Sequence, residues 1–329
     1  MKSMKKLAAA AAALGFAASA ASAEPALIYD MGGKFDKSFN ESAYNGAEAW
    51  KAASGSDYKD IELQSQAQRE QAIRRYAEQG NNPVVMTGFA FGSALNSVAP
   101  DFPDTKFAII DMVVDQPNVR SVVFKEHEGS FLVGYIAGLT TDSDVVGFVG
   151  GMDIPLIRRF ACGYVQGVKA ADPSIEVIQN MTGNEPSAWN DPVKGAELTK
   201  AQIAAGADIV YHAAGGTGVG VLQAAADAGI LGIGVDANQN HLHPGSVLTS
   251  MIKRVDLAVQ EAFAGGADLE TGIVALGLAE DGVGFALDEH NDNLISDETK
   301  AMVASAREQI IAGDLMVHDY TMDDSCPAS

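Results

Sequence analysis

Short apolar runs alternate with helical patterns from Ala26 onward, and that alternation leaves few folds open. The runs are ALIYD (26–30), IELQS (61–65), PVVMT (83–87), KFAII (106–110) and SVVF (121–124), then VVGFVG (145–150), IEVIQ (175–179), DIVYH (208–212), LGIGV (231–235) and VLTSM (247–251). Each is too short for a buried helix, and an apolar run without polar alternation is what a parallel strand covered on both faces requires. Helical patterns fill the gaps at 41–53, 68–79, 128–139, 156–171, 192–205 and 219–228. Gly80, Gly206 and Gly229 follow three of these, and Pro192 opens another, as helix punctuation demands. Strand, helix, strand in this order specifies α/β units with parallel sheets.

The series of five strands occurs twice in 329 residues, which is too long for one ordinary core. No Gly/Ser linker separates the halves, so two similar lobes are expected to pack closely. The expected division is an N-terminal lobe of 24–126 plus about 252–280, and a C-terminal lobe of 127–251 plus about 281–329. Beyond Met251 the pattern loosens to a helix at 254–264, a Gly-rich stretch, a strand near 282–287 and a helix at 297–312.

Residues 1–23 differ from the rest. Lys2, Lys5 and Lys6 precede an alanine-rich apolar run that ends in Ala21-Ser22-Ala23, the pattern of a secretory signal peptide with a small-residue cleavage site. The run is shorter than the roughly 20 residues of a membrane span, and no cysteine follows it that could take a lipid. The expected product is periplasmic and not lipid-anchored. With 43 Asp plus Glu against 22 Lys plus Arg, the formal charge is −21, and no basic cluster offers a surface for nucleic acid. Cys162 and Cys326 are too few for a disulfide framework. Cys162 suits either a buried apolar position or one bridge to Cys326 in the tail.

Ligands of open parallel sheets meet the carboxyl ends of the strands. Asp30 ends the first run, and Gly32-Gly33, Phe39 and Asn40 follow before a helix expected from Glu41. The loop can be a small-ligand loop, or an ordinary turn in which Asn40 caps the helix and Phe39 is buried. Gly88-Phe89, Asp111, Gly215-Gly216 and Asp236 close other runs. Carboxylates converging with aromatic rings suit a neutral, flat, hydroxyl-bearing ligand better than a phosphate. No GxxxxGK[ST] or GxSxG occurs, the glycines at 215–220 do not space as GxGxxG, and His241 and His243 lack companions at metal-ligand spacing. No cofactor is expected.

DMGGKFDKSFNESAYNGAEAW (30–50), GFVGGMDIPLIRRFACGYVQGVKAADP (147–173), AAGGTGVGVLQAAADAG (213–229), IGVDANQ (233–239) and LTSMIKRVDLAV (248–259) resemble the basic membrane protein family of substrate-binding proteins, in its purine nucleoside receptor branch. The resemblance covers nearly the whole chain after the leader. It implies a type I periplasmic-binding-protein fold of two Rossmann-like lobes joined by three crossing segments, closing on ligand. It further implies a monomer that binds a purine nucleoside and hands it to an ABC permease in the inner membrane, without catalysis. Carried over, the family's pattern would put Asp30, Phe39, Asn40, Asp111, Gly215, Gly216, Asp236 and Lys253 in the cleft, with Lys253 beside Asp236. Trp189 stands in SAWNDPVKG where the family commonly has phenylalanine. Phe39 and Trp189 would then stack the base from opposite lobes, Asp236 would hold the ribose diol, and Asp111 and Asn40 would read the base edge. A flavin-type heterocycle is the alternative ligand, and a nucleoside hydrolase the alternative activity.

Overall fold

The computed structural model describes residues 23–327, so the leader lies outside the described residues apart from Ala23. Two six-stranded sheets organise the chain. The first contains β1 (Ala26–Tyr29), β2 (Lys59–Glu62), β3 (Val84–Thr87), β4 (Phe107–Ile110) and β5 (Val119–Phe124). The second contains β6 (Val145–Met152), β7 (Glu176–Gly183), β8 (Ile209–Ala213), β9 (Leu231–Asp236) and β10 (Val247–Lys253). The chain then returns to the first sheet with β11 (Gly272–Leu276) and to the second with β12 (Val283–Phe285). The strand orders are β11-β5-β4-β3-β1-β2 and β12-β10-β9-β8-β6-β7. Every pairing is parallel except that of β12 with β10. This is the α/β fold of two parallel-sheet lobes that the alternation predicted.

Helix pairs cover both faces of each sheet's centre, which is why the central strands read as unbroken apolar runs. In the first sheet, Leu27, Tyr29, Val85 and Ile110 face α1 (Phe39–Ser54) and a helix at Val255–Gly265, while Ala26, Ile28, Met86 and Ile109 face helices at Arg69–Glu78 and Gly92–Val98. In the second, Phe148 and Tyr211 meet helices at Glu126–Thr140 and Pro155–Ala171. Those last two helices touch backbone to backbone. A Cβ on Gly163 or Gly167 would lie 2.4 Å from the carbonyl of His127 or 2.0 Å from that of Phe131, so both positions need glycine.

Three segments cross between the sheets, after β5, after β10 and after β11, and they are tied to one another. Lys125 donates its N–H to Leu276, Arg254 to Gly282, and Leu278 to the Glu128 carboxylate at 2.8 Å. The tail is fastened to the C-terminal lobe by a disulfide between Cys162 and Cys326.

Several elements depart from expectation. β2 begins at Lys59 rather than 61, because its pairing with β1 starts there and residues 63–65 turn toward the next helix. β11, inside the stretch read as Gly-rich and irregular, is a largely exposed edge strand that lacks the fully apolar signature. The seven-residue helix at Gly92–Val98 is too short for its periodicity to show. β12 spans three residues rather than the six of 282–287.

Candidate ligand-binding site

The carboxyl ends of β1, β3, β4, β6, β8, β9 and β10 converge on a cavity of about 620 Å³, mouth included, between the two sheets. Its wall carries Asp30, Phe39, Asn40, Gly88, Phe89, Asp111, Trp189, Gly215, Asp236 and Lys253. Gly216 is buried behind that wall rather than on it: its Cα faces the Trp189 carbonyl, where a Cβ would come within 3.3 Å. Gly32, from the loop read as a small-ligand loop, is also on the wall; sequence reading missed Asp36 and an apolar side made by Leu156, Ile157 and Phe160. These three lie at the start of the Pro155–Ala171 helix, which follows the carboxyl end of β6, so the strand-end rule applied to β6 would have found them.

The loop after β1 is held by Asp36, not by Asn40. The Asp36 carboxylate accepts N–H groups from Ser38 at 2.8 Å, Asn40 at 3.0 Å and Glu41 at 3.1 Å. It therefore satisfies the free amides at the start of α1, which begins at Phe39, two residues earlier than expected. Asn40 sits in the first turn instead. Its Oδ1 accepts from the Thr87 hydroxyl at 3.0 Å, and its Nδ2 donates to the Asp30 carbonyl at 3.4 Å. Burial pushes the Asp36 carboxyl up to about 7, against the three amides that favour its charge.

Asp30 accepts from Arg69 Nη2 at 3.0 Å and from the Met31 N–H at 2.9 Å. Gly88 lies against it at φ +113°; a Cβ there would approach the Asp30 carboxylate to 2.9 Å. Asp111 and Asp236, at the ends of β4 and β9, both take left-handed backbone conformations, with φ of 70° and 65°. Short polar side chains tolerate that region best, and such backbone states gather at functional sites.

Lys253 is the positive centre of the cavity, 1 % exposed. Its ammonium reaches Asp111 Oδ2 at 2.7 Å and Glu126 Oε1 at 3.0 Å, and lies 5.0–5.4 Å from the ring centres of Phe39, Phe124 and Phe160. Lys253 thus pairs directly with Asp111 and Glu126, and acts on Asp236 through space, favouring its charged form as expected. Lys253 lies where the second crossing begins and Glu126 where the first ends, so the crossings bring these two together. Asp236 instead accepts from the Ser38 hydroxyl at 2.6 Å. On its far side, Glu126 accepts from Arg159 at 2.9 Å, and Arg159 continues to Asp319 and Thr321 in the tail. Burial pushes Asp111 up to about 6 although Lys253 opposes it, and burial raises Asp236 too against Lys253 and Ser38. Flanking carboxylates hold Lys253 charged, above its ordinary range, despite burial. Asp111 Oδ1 is buried with no partner, so a donor from a ligand would complete it.

Trp189 comes from the other lobe, in a turn after β7. Hydroxyls of Thr182 and Thr217 both donate to the Ala188 carbonyl, at 3.1 and 2.8 Å, and pin that turn. The indole lies over bare backbone at Gly151, where a Cβ would be 2.2 Å from the six-membered ring. The wall thus offers an aromatic face from each lobe, four carboxylates and one cation already committed to two acids. It can accept hydrogen bonds from hydroxyl and amino groups, and it repels anions. Among the described residues no group of three or more His, Cys, Asp or Glu could hold a metal, and His241 and His243 lie in a surface turn.

Two lobes, three crossings and a cavity between the lobes are the architecture of the periplasmic-binding type. Residues 25–319 match the family described as ABC transporter substrate-binding protein PnrA-like, and the chain belongs to this Bmp family. It is 31% identical to the ABC transporter nucleoside-binding protein BmpA of Lactococcus lactis over 89% of this chain and 88% of that one. It is 33% identical to an uncharacterized lipoprotein of Pyrococcus abyssi over 79% and 68%. A solved ABC transporter solute-binding protein from Aeropyrum pernix superposes with a TM-score of 0.84 at 28% identity, covering 92% of this chain and 95% of that one. The protein is accordingly an extracytoplasmic substrate-binding protein of an ABC transport system.

Proposed function

We propose that the ligand is a purine nucleoside (adenosine, guanosine or inosine) and that the protein delivers it, unaltered and as a monomer, to a permease in the inner membrane. The observation that carries this reading is the placement of Phe39 and Trp189 on opposite lobes of one cavity whose polar lining is four carboxylates, the Asn40 amide and the Lys253 ammonium. Stacking contributes about 1–3 kcal/mol per base on such platforms. Asp236 accepts from the ribose diol, and the unpartnered Asp111 Oδ1, with Asn40 Nδ2, meets the base edge. The nucleoside-binding name of the Lactococcus relative supports the same class. Because the plates belong to different lobes, ligand binds the closed form better and shifts the population toward it.

Periplasmic release without a lipid is part of the proposal. The apolar leader supports export, and both cysteines are joined to each other, which leaves neither to carry an acyl chain. A flavin is the second reading, favoured by the wide indole that Gly151 accommodates. Calorimetry with adenosine, guanosine, inosine and riboflavin tests both. Heat from the nucleosides and competition by inosine support the first; heat from riboflavin alone replaces it by the second; none from any ligand removes both. Chromatography after incubation with inosine should show no free hypoxanthine, and its appearance would establish hydrolysis instead.

A further inference from the structure

Two hydrogen bonds join the lobes beside the cavity. The Ser38 hydroxyl, from the first lobe, donates to Asp236 Oδ2 at 2.6 Å and lies 3.3 Å from the Val235 carbonyl. The Gln239 amide, from the second lobe, donates to the Lys37 carbonyl at 2.9 Å. Neither Ser38 nor Gln239 lies on the cavity wall, and both are fully buried. Asp236 is on the wall.

The surroundings leave each group one arrangement. Gln239 Oε1 accepts from the Val235 N–H at 2.9 Å and faces His212 Nε2 at 2.9 Å. With its oxygen so used, its NH₂ must point to Lys37, and His212 must carry its proton on Nε2. His212 is neutral, since burial drops it to about 4, so its role is that of a hydrogen-bond donor. Gly234 makes room, because a Cβ there would come within 2.6 Å of Gln239 Oε1. On the opposite lobe, Lys37 holds its carbonyl out at φ 63°, a costly backbone state for a lysine. Asp36 fixes the same turn through three amides. Each side is braced within its own lobe, and bonds that span the two lobes must break if the lobes part.

We propose that Ser38 and Gln239 are positioning residues forming a clasp that aims the Asp236 carboxylate at the ligand only when the cleft is closed. Asp236 has two oxygens; the clasp occupies one and turns the other to the cavity. Ligand recognition by Asp236 and lobe closure are thereby the same event. The clasp rests on the interlobe cavity being the ligand site, and not on which heterocycle fills it.

The test uses the full mature chain with S38A, S38T and Q239L. Fluorophores on the two lobes report the closed fraction by single-molecule energy transfer without ligand, and stopped-flow with inosine gives association and dissociation rates. S38A should lower the closed fraction and raise the dissociation rate about tenfold or more, the usual weight of a hydrogen bond to a charged group, with little change in association. S38T keeps the hydroxyl and should restore most of the loss, which a packing defect would not allow. Q239L should act in the same direction. Unchanged closure and dissociation in S38A would overturn the clasp, as would a loss in S38T equal to that in S38A. Should the wild type bind no nucleoside, the energy-transfer arm still decides the clasp, while the nucleoside reading alone falls.

Discussion

Replacing Lys253 with methionine gives the sharpest perturbation of the site. Methionine preserves bulk against Phe39, Phe124 and Phe160 but removes the cation from between Asp111 and Glu126. Glu126 keeps Arg159 at 2.9 Å; Asp111 loses the one ion-pair partner it has among the described residues, while remaining buried. Removing one member of such a buried set typically costs about 3–5 kcal/mol. Here the loss depends on pH. Asp111 already stands at about 6, raised by burial and held down chiefly by Lys253, so it climbs further once the lysine is gone. A carboxyl whose folded value exceeds its unfolded one stabilises most below the unfolded value and loses that contribution as pH rises through the folded value. The deficit relative to wild type therefore grows as pH rises above about 6 and is larger at pH 8 than at pH 5. At pH 5 Asp111 is protonated, and the deficit shrinks to about 1–2 kcal/mol of lost packing and hydrogen bonding. The Lys253 ammonium, raised above its ordinary range, stays charged throughout this window and adds no slope of its own. Urea unfolding followed by tryptophan fluorescence at pH 5, 6, 7 and 8 measures the difference. A deficit constant across pH, or wild-type stability at pH 8, would refute the account of Lys253 as the charge that keeps Asp111 ionised.

Two further outcomes follow from the same geometry. G151A drives a methyl into the Trp189 ring and pushes the indole into the cavity, so calorimetry should show nucleoside affinity reduced by tenfold or more; undiminished affinity would mean that the ring does not rest on residue 151. Reducing the Cys162–Cys326 bridge, or replacing both cysteines with alanine, opens a 164-residue separation and should lower the melting temperature, with chain entropy setting a limit of about 5 kcal/mol; an unchanged melt would show the tail to be anchored without it.

The fold was legible because a strand covered on both faces carries no polar alternation, and the runs of β1, β3, β4 and β8, buried at every residue, have that signature. β11 escaped for the opposite reason: it is an exposed edge, with Ile273 open to solvent, and it follows a glycine-rich approach. At the site, the strand-end rule found Asp30, Gly88, Asp111, Gly215 and Asp236, since topology alone brings those positions together. Their partners were not legible. Nothing in the spacing tells that Lys253 pairs directly with Asp111 and Glu126 rather than with Asp236, 17 residues away, because that choice depends on how the crossings bring Lys253 and Glu126 together. Asp36 was likewise hidden: the sequence suggested Asn40 as the cap, and only the path of the turn brings the Asp36 carboxylate to the free amides.

The left-handed backbone at Asp111 and Asp236 bears on which substitutions these two positions can survive. Most side chains would strain the chain there before any question of ligand arose, whereas asparagine and glycine would not. An aspartate codon reaches either by a single base change, and asparagine erases the charge while leaving the shape. Across related receptors the electrostatic character of the cleft can therefore drift in unit steps on an unmoved frame, and new ligand preferences can arise without passing through an unfolded intermediate.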